Sequence, residues 1–167
     1  MRTCALLLSF GLGLGGQPAA LPSFDQFRVT QVFSGKPAKP VLRTAGDRMF
    51  RTKIRDGAKD GPNFAGHYTI AAWGCGAGCV QMALIDAVDG RIYRAPFQVL
   101  SWDLMRYEGT IASNDDHFEE LDFHKDSRLL IARGCPEEKN CASYFYELSG
   151  TQFKLLRQVA ATRIAPQ

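Results

Sequence analysis

Four of the five cysteines in this 167-residue chain stand in two close pairs, and this restricts the folds open to it. Three residues separate Cys75 from Cys79, and five separate Cys135 from Cys141. Neither spacing is usual for zinc ligands. Each pair brackets a turn between two strand-like segments, and opposed residues of antiparallel strands lie about 4.5 Å apart at Cα, within reach of a disulfide. We therefore predict two local disulfides; the alternatives are long-range pairing of one close pair with the other, and free or redox-active thiols.

The N-terminus has the pattern of an export signal. Arg2 provides a positive start, residues 5–14 are mostly apolar, and residues 15–20 include small residues suited to cleavage between Gly16 and Ala20. The apolar stretch is shorter than the run of about 18 residues that a membrane span needs. A buried N-terminal helix is the alternative, although three glycines would weaken it.

These features predict a cleaved signal peptide at residues 1–20 and a single disulfide-containing domain at residues 21–167. Cys4 is lost with the signal, which leaves an even number of cysteines for an oxidising compartment. We therefore expect the protein in the periplasm or outside the cell.

Composition excludes several functional classes. The 20 basic and 17 acidic residues give a net charge of +3, too balanced to indicate a nucleic-acid partner. No run of about 18 apolar residues occurs, so we expect no membrane span in the mature chain. The glycine-rich stretch lacks the strand-glycine-helix context of a nucleotide site, and we predict neither a cofactor nor a metal.

A helix is predicted near residues 44–60. Thr44 can cap its start, Asp47 suits the first turn, and Gly61 followed by Pro62 ends it. Its apolar stripe is narrow, so the helix should pack on one face of a sheet. The stripe consists of Met49, Phe50, Ile54 and Ala58.

Most of the remaining chain alternates apolar and polar residues with the period of strands. Residues 98–114 are ambiguous between strand, short helix and loop. The fold class predicted is α+β, mainly antiparallel β, as a meander sheet, curled or sandwich-like, with the one helix. The predicted strands cover residues 27–33, 64–73, 80–86, 91–97, 120–124, 128–134, 142–148 and 153–159.

The most distinctive segment, residues 61–79, has the sequence GPNFAGHYTIAAWGCGAGC. It resembles a family of small uncharacterised secreted or periplasmic bacterial proteins with the signature GPNFAGHYxI...WGCGxxC. The matching words are residues 63–70 and 73–79, and the resemblance extends from near Arg51 to the end of the chain. It implies export and the first cysteine pair, and it brings no established activity.

If residues 64–73 are one strand, alternate residues share a face. His67, Thr69 and Trp73 then lie in one row, about 6–7 Å between neighbours at strand spacing. We interpret this row, with Asn63, as a candidate ligand or partner surface beside a glycine-rich stapled loop. The alternative is a structural His67 and a Trp73 packed under the helix.

An acidic stretch at residues 115–124 is a second candidate. It contains carboxylates together with His117 and His124, which are the ligand types of hard cations and zinc. It matches no known metal motif, and the spacing of the two histidines opposes their facing one side of a strand. We interpret it as a solvated loop leading into a strand.

The function predicted is an exported, non-catalytic binding or inhibitor-like module of the bacterial cell envelope, with an envelope protein or a small ligand as partner. The alternatives are a small periplasmic hydrolase using the His67 region, and an envelope structural or stress protein. No catalytic residue is proposed, because no nucleophile motif such as G-x-S-x-G occurs.

Overall fold

The fold is taken from a computed structural model, which describes residues 20–102 and 119–161. These residues form two short α-helices, eight strands and a 3-10 turn at Phe24–Phe27. The helices are α1 (Ala45–Met49) and α2 (Arg51–Ala58). The strands are β1 (Tyr68–Gly76), β2 (Cys79–Asp86), β3 (Ile92–Tyr93), β4 (Leu100–Ser101), β5 (Leu121–Phe123), β6 (Leu129–Pro136), β7 (Ala142–Ser149) and β8 (Gln152–Ala160).

Every pair of neighbouring strands is antiparallel. The order is β1-β2-β4-β6-β7-β8, with β3 added to β2 and β5 added to β6. The short β4 joins the two halves at one end only, where Ser101 lies between Cys79 and Cys135. The predicted α+β class with a mainly antiparallel sheet is confirmed, and the sheet is open.

One core lies between the two halves of this sheet. Alternate residues of β1 and β2 point into it and meet alternate residues of β6 and β7, as the two-residue period of strands requires. The two halves thus curl towards each other and share their inner faces. The core includes Ile70, Val80, Met82, Leu84, Leu130, Ala132, Ala142, Tyr144, Tyr146 and Leu148.

The predicted helix is present but broken at Phe50, whose ψ of 17° separates α1 from α2. Its start forms as predicted: the Thr44 hydroxyl accepts from the Asp47 N–H at 3.0 Å, and the Asp47 carboxylate accepts from the Thr44 N–H at 2.8 Å. Ile54 is 2% exposed and packs on β1 and β2, a burial that contributes about 1.5–3 kcal/mol. Met49 does not share this stripe: it is 72% exposed, because α1 ends there and the chain changes direction.

The predicted first strand, residues 27–33, is wrong. This segment makes a single bridge between Arg28 and Ser127, and a 3-10 turn precedes it. Side-chain and turn contacts hold it instead of a strand ladder: the Ser127 hydroxyl donates to the Phe24 carbonyl at 2.9 Å, and the Val29 N–H donates to the Asp126 carbonyl at 2.8 Å. The segment covers the outer face of β6 and β7.

Both disulfides have the predicted local pairing. Cys75–Cys79 closes the turn between β1 and β2, and Cys135–Cys141 closes the turn between β6 and β7. They lie at the same end of the molecule, on either side of β4. Loops this short contribute about 2 kcal/mol each through loop-closure entropy.

Candidate functional site

The chain turns sharply before β1, so residues 64–67 are not strand as predicted. Ala65 and Gly66 have φ values of 45° and 84°, and Phe64 closes a backbone bridge with Tyr68. Two backbone hydrogen bonds of 3.0 Å join Phe64 and Tyr68. His67 therefore leaves the predicted row, because the left-handed turn takes it out of the alternation of β1.

Asn63 is occupied by the backbone of β1. Its amide oxygen accepts from the Ile70 N–H at 2.8 Å, and its amide nitrogen donates to the Ile70 carbonyl at 3.0 Å. The side chain thus pairs with the open edge of β1 as a neighbouring strand would. This arrangement gives Asn63 a structural role in place of the predicted contact surface.

Thr69 and Trp73 lie on the side of β1 that faces the helices. Thr69 is 1% exposed, and its hydroxyl donates to the Gly61 carbonyl at 2.8 Å. Trp73 is half-buried with its ring 5.1 Å from that of Phe50, and its Nε1 donates to Gln81 at 3.0 Å. The four predicted residues do not form one surface, because both faces of the first half of β1 are covered and Thr69 is buried.

His67 keeps a partly exposed side chain and has a carboxylate close by. The side chain is 40% exposed, and Nε2 lies 3.7 Å from Oδ2 of Asp86 at the end of β2. The other Asp86 oxygen accepts from the Val88 N–H at 2.8 Å, which fixes the carboxylate. The imidazole packs on the ring of Tyr68, with 4.1 Å between centroids, and the Ala87 N–H donates to the His67 carbonyl.

A cavity of about 450 Å³ opens beside this histidine, and we call it the His67 cleft. The N-terminal segment forms one wall, and the turn before β1 and the β7–β8 turn form the others. Its lining consists of residues 28–31, Ala65, His67, Tyr68, Arg128, Leu148 and Gly150.

The titratable groups of this lining are cationic or neutral. Arg28 pairs with Asp25 at 2.9 Å and with Asp126 at 4.0 Å, and Arg128 pairs with Glu147 at 2.5 Å. These carboxylates and Asp86 stand outside the lining. Within residues 20–102 and 119–161, no carboxylate lines the cleft, and the carboxylates that pair with its cationic groups lie just outside the lining.

Tyr68 supplies a neutral hydrogen-bonding group. Burial, with a smaller contribution from the negative charge of Asp86, raises the pKa of Tyr68 to about 12. Its hydroxyl donates to the Gly150 carbonyl at 3.3 Å across the cleft. The phenol therefore remains protonated at physiological pH.

The acidic stretch contributes structural contacts where the structure describes it. Asp122 pairs with Arg133 at 3.2 Å, and the His124 ring stacks on Phe24 at 3.8 Å. Residues 115–118 of this candidate lie outside the described residues. No group of three or more potential metal ligands occurs within the described chain.

Other parts of the sequence predictions also fall outside the description. Residues 1–19 of the predicted signal peptide are among them, as are residues 103–114 of the ambiguous stretch. The described part of that stretch contains β4. None of the helices described has the length and apolar character to cross a bilayer.

No protein-family model, curated protein or solved structure matches this chain. The resemblance to the secreted bacterial family stays a prediction. Any function must then be argued from the site itself.

Proposed function

We propose that this protein is an exported, non-catalytic binding module of the bacterial cell envelope, and that its His67 cleft binds a small oxyanion, either a carboxylate or a phosphate ester. Arg28, His67 and Arg128 would hold the anion, with Tyr68 beside them. The two disulfides support export, because such bonds persist in oxidising compartments.

The main observation behind the proposal is the arrangement of charged side chains around the cleft. Arg28 and Arg128 line it, while their carboxylate partners stand outside the lining. A guanidinium has five N–H donors, so the pairing of Arg28 with two carboxylates and of Arg128 with one still leaves donors for a ligand. Arginine binds carboxylates and phosphates through charge-assisted, often bidentate hydrogen bonds.

The cleft is also held in shape by the fold, which lowers the entropic cost of binding. The Gly66 N–H donates to the Lys125 carbonyl at 2.7 Å, and the Phe33 N–H donates to the Gly66 carbonyl at 2.9 Å. These bonds tie the turn that carries His67 to the β5–β6 turn and to the N-terminal segment.

A small hydrolase is the second candidate, and the approach of Asp86 to His67 is the observation that favours it. A carboxylate that orients a histidine is part of many hydrolytic sites. The separation of 3.7 Å is longer than a hydrogen bond, and no serine or cysteine lines the described cleft. These observations favour binding over hydrolysis.

The test is calorimetric titration of the protein, expressed from the full gene and purified after export, with inorganic phosphate and with succinate. We expect saturable binding by the wild type, weakened at least tenfold by Arg28→Gln and by Arg128→Gln. Arg91→Gln is the matched control, because Arg91 is also paired with an aspartate, at 3.2 Å, and does not line the cleft.

Absence of binding to both anions, or equal loss in the Arg91→Gln control, would overturn the assignment of the cleft. Ester hydrolysis by the wild type that disappears in His67→Gln would replace it with the hydrolase. If the cleft variants match the wild type in both anion binding and ester hydrolysis, an envelope structural role gains support.

A further inference from the structure

A second cavity, of about 660 Å³, lies on the helical side of the molecule between the loop at residues 36–40 and α2. We call it the basic groove. The loop lines one side, and α2 with the residue after it lines the other with Arg55, Ala58 and Lys59. It shares no lining residue with the His67 cleft.

Four cations line the basic groove: Lys36 and Lys39 from the loop, and Arg55 and Lys59 from the helical side. Lys59 pairs with Asp56 at 2.5 Å. Within the part of the chain that the structure describes, the other three have no carboxylate at ion-pair distance, and no carboxylate lines the groove. Their charge is therefore directed at solvent or at a ligand.

The surrounding segment concentrates the positive charge of the protein. Residues 36–60 contain eight lysines and arginines and three aspartates, a net charge of +5, whereas the whole chain carries +3. The remainder of the chain is thus slightly negative. Such a separation attracts an acidic partner to this side and orients its approach.

The groove also has an apolar part, and the loop that provides most of it is fixed. Pro37, Ala38 and Pro40 belong to its lining, together with the buried Ala58. The Ala38 N–H donates to the Ala87 carbonyl at 2.8 Å, so the loop is tied to the turn after β2. A loop already ordered in this way loses little entropy when a ligand binds.

We infer that the basic groove is the docking site for an extended acidic segment of a partner protein. Cations on two sides, together with the prolines and alanines of the lining, fit a chain that alternates carboxylates with small apolar side chains. A flat bilayer cannot enter a concave groove, and a polyphosphate has no apolar groups to contact the apolar lining residues. The inference is independent of ligand binding in the His67 cleft.

The probe is a short fluorescent peptide that alternates glutamate and valine. Its binding to the protein purified after export is measured by anisotropy at about 50 mM salt, where screening is weak. The groove variant carries Lys36→Gln, Lys39→Gln and Arg55→Gln. The matched control carries Arg43→Gln, Arg48→Gln and Lys53→Gln, which remove the same charge from exposed positions of the same segment outside the groove lining.

We expect at least a tenfold loss of peptide affinity in the groove variant and less than a threefold loss in the control. Absence of saturable binding by the wild type, or equal losses in both variants, would overturn the inference. Tighter, groove-dependent binding to phosphatidylglycerol vesicles or to polyphosphate than to the peptide would overturn it too. Phosphate titration of the groove variant reports separately on the His67 cleft, which these substitutions leave unchanged.

Discussion

Substitution of Gly66 by alanine is expected to damage both the stability of the protein and its cleft. Gly66 has a φ of +84°, and a Cβ at this position would lie 2.4 Å from the Gln31 carbonyl oxygen and 3.2 Å from a methyl of Val29. Gln31 and Val29 line the His67 cleft. Alanine must therefore displace the N-terminal wall of the cleft or distort the turn that carries His67.

The expected cost has two parts. A left-handed conformation costs an alanine about 1–2 kcal/mol, and forcing extra volume into a packed site costs about 1–3 kcal/mol. Gly66→Ala should then destabilise the protein by about 2–5 kcal/mol. Gly150→Ala is the control, because Gly150 has a φ of +61° and no atom lies within 4 Å of the position that the added methyl would occupy.

The control should cost only the conformational part, about 1–2 kcal/mol. Both substitutions restrict the unfolded chain equally, so that contribution cancels in the comparison. Urea denaturation with the disulfides intact measures both free energies of unfolding. Costs within about 0.5 kcal/mol of each other would refute the close approach of Gly66 to Gln31, as would unchanged phosphate affinity in Gly66→Ala.

Two further predictions concern the free energy of unfolding. Burial raises the pKa of Tyr68 and of Tyr146 to about 12, so the unfolded chain, with an ordinary tyrosine pKa of 10.0, releases these protons first. The free energy of unfolding should thus be highest below pH 10 and should fall between pH 10 and about 12. The expected loss is about 1–2 kcal/mol per tyrosine after allowing for solvent screening. A constant urea midpoint over that range would contradict this. Joint replacement of Cys75 and Cys79 by serine should lower the free energy of unfolding by about 2 kcal/mol, measured in urea, and should leave the pairing of the second disulfide intact in peptide mass mapping.

Local features of this fold were accessible from the sequence because neighbouring residues determine them. The Thr44–Asp47 cap and both disulfide-closed hairpins depend on residues only a few positions apart. The turn before β1 was not accessible, because Ala65 has a positive φ that alanine rarely adopts and that the pattern does not signal.

The predicted ligand row failed for a different physical reason. Alternation separates a buried face from an exposed one only when one face of the strand is solvated. β1 packs against the core on one side and against α2 on the other, so Thr69 is buried although it lies opposite the core face. The cleft also needs Arg28 and Arg128, which are far apart in sequence and meet only through the tertiary fold.

One part of the site could nevertheless be predicted from the pairing of the first disulfide. If Cys75 is set opposite Cys79 and the antiparallel pairing is extended outward, Tyr68 falls opposite Asp86, as it does in the structure. Side chains of directly opposed residues lie on one face of a sheet, so a carboxylate beside Tyr68 follows from the hairpin alone. The same extension does not place His67, because the pairing ends at Tyr68 and the left-handed turn at Ala65 and Gly66 then sets the direction of the imidazole. The hairpin thus determines where the carboxylate lies, and the turn determines that the histidine reaches it from the cleft side.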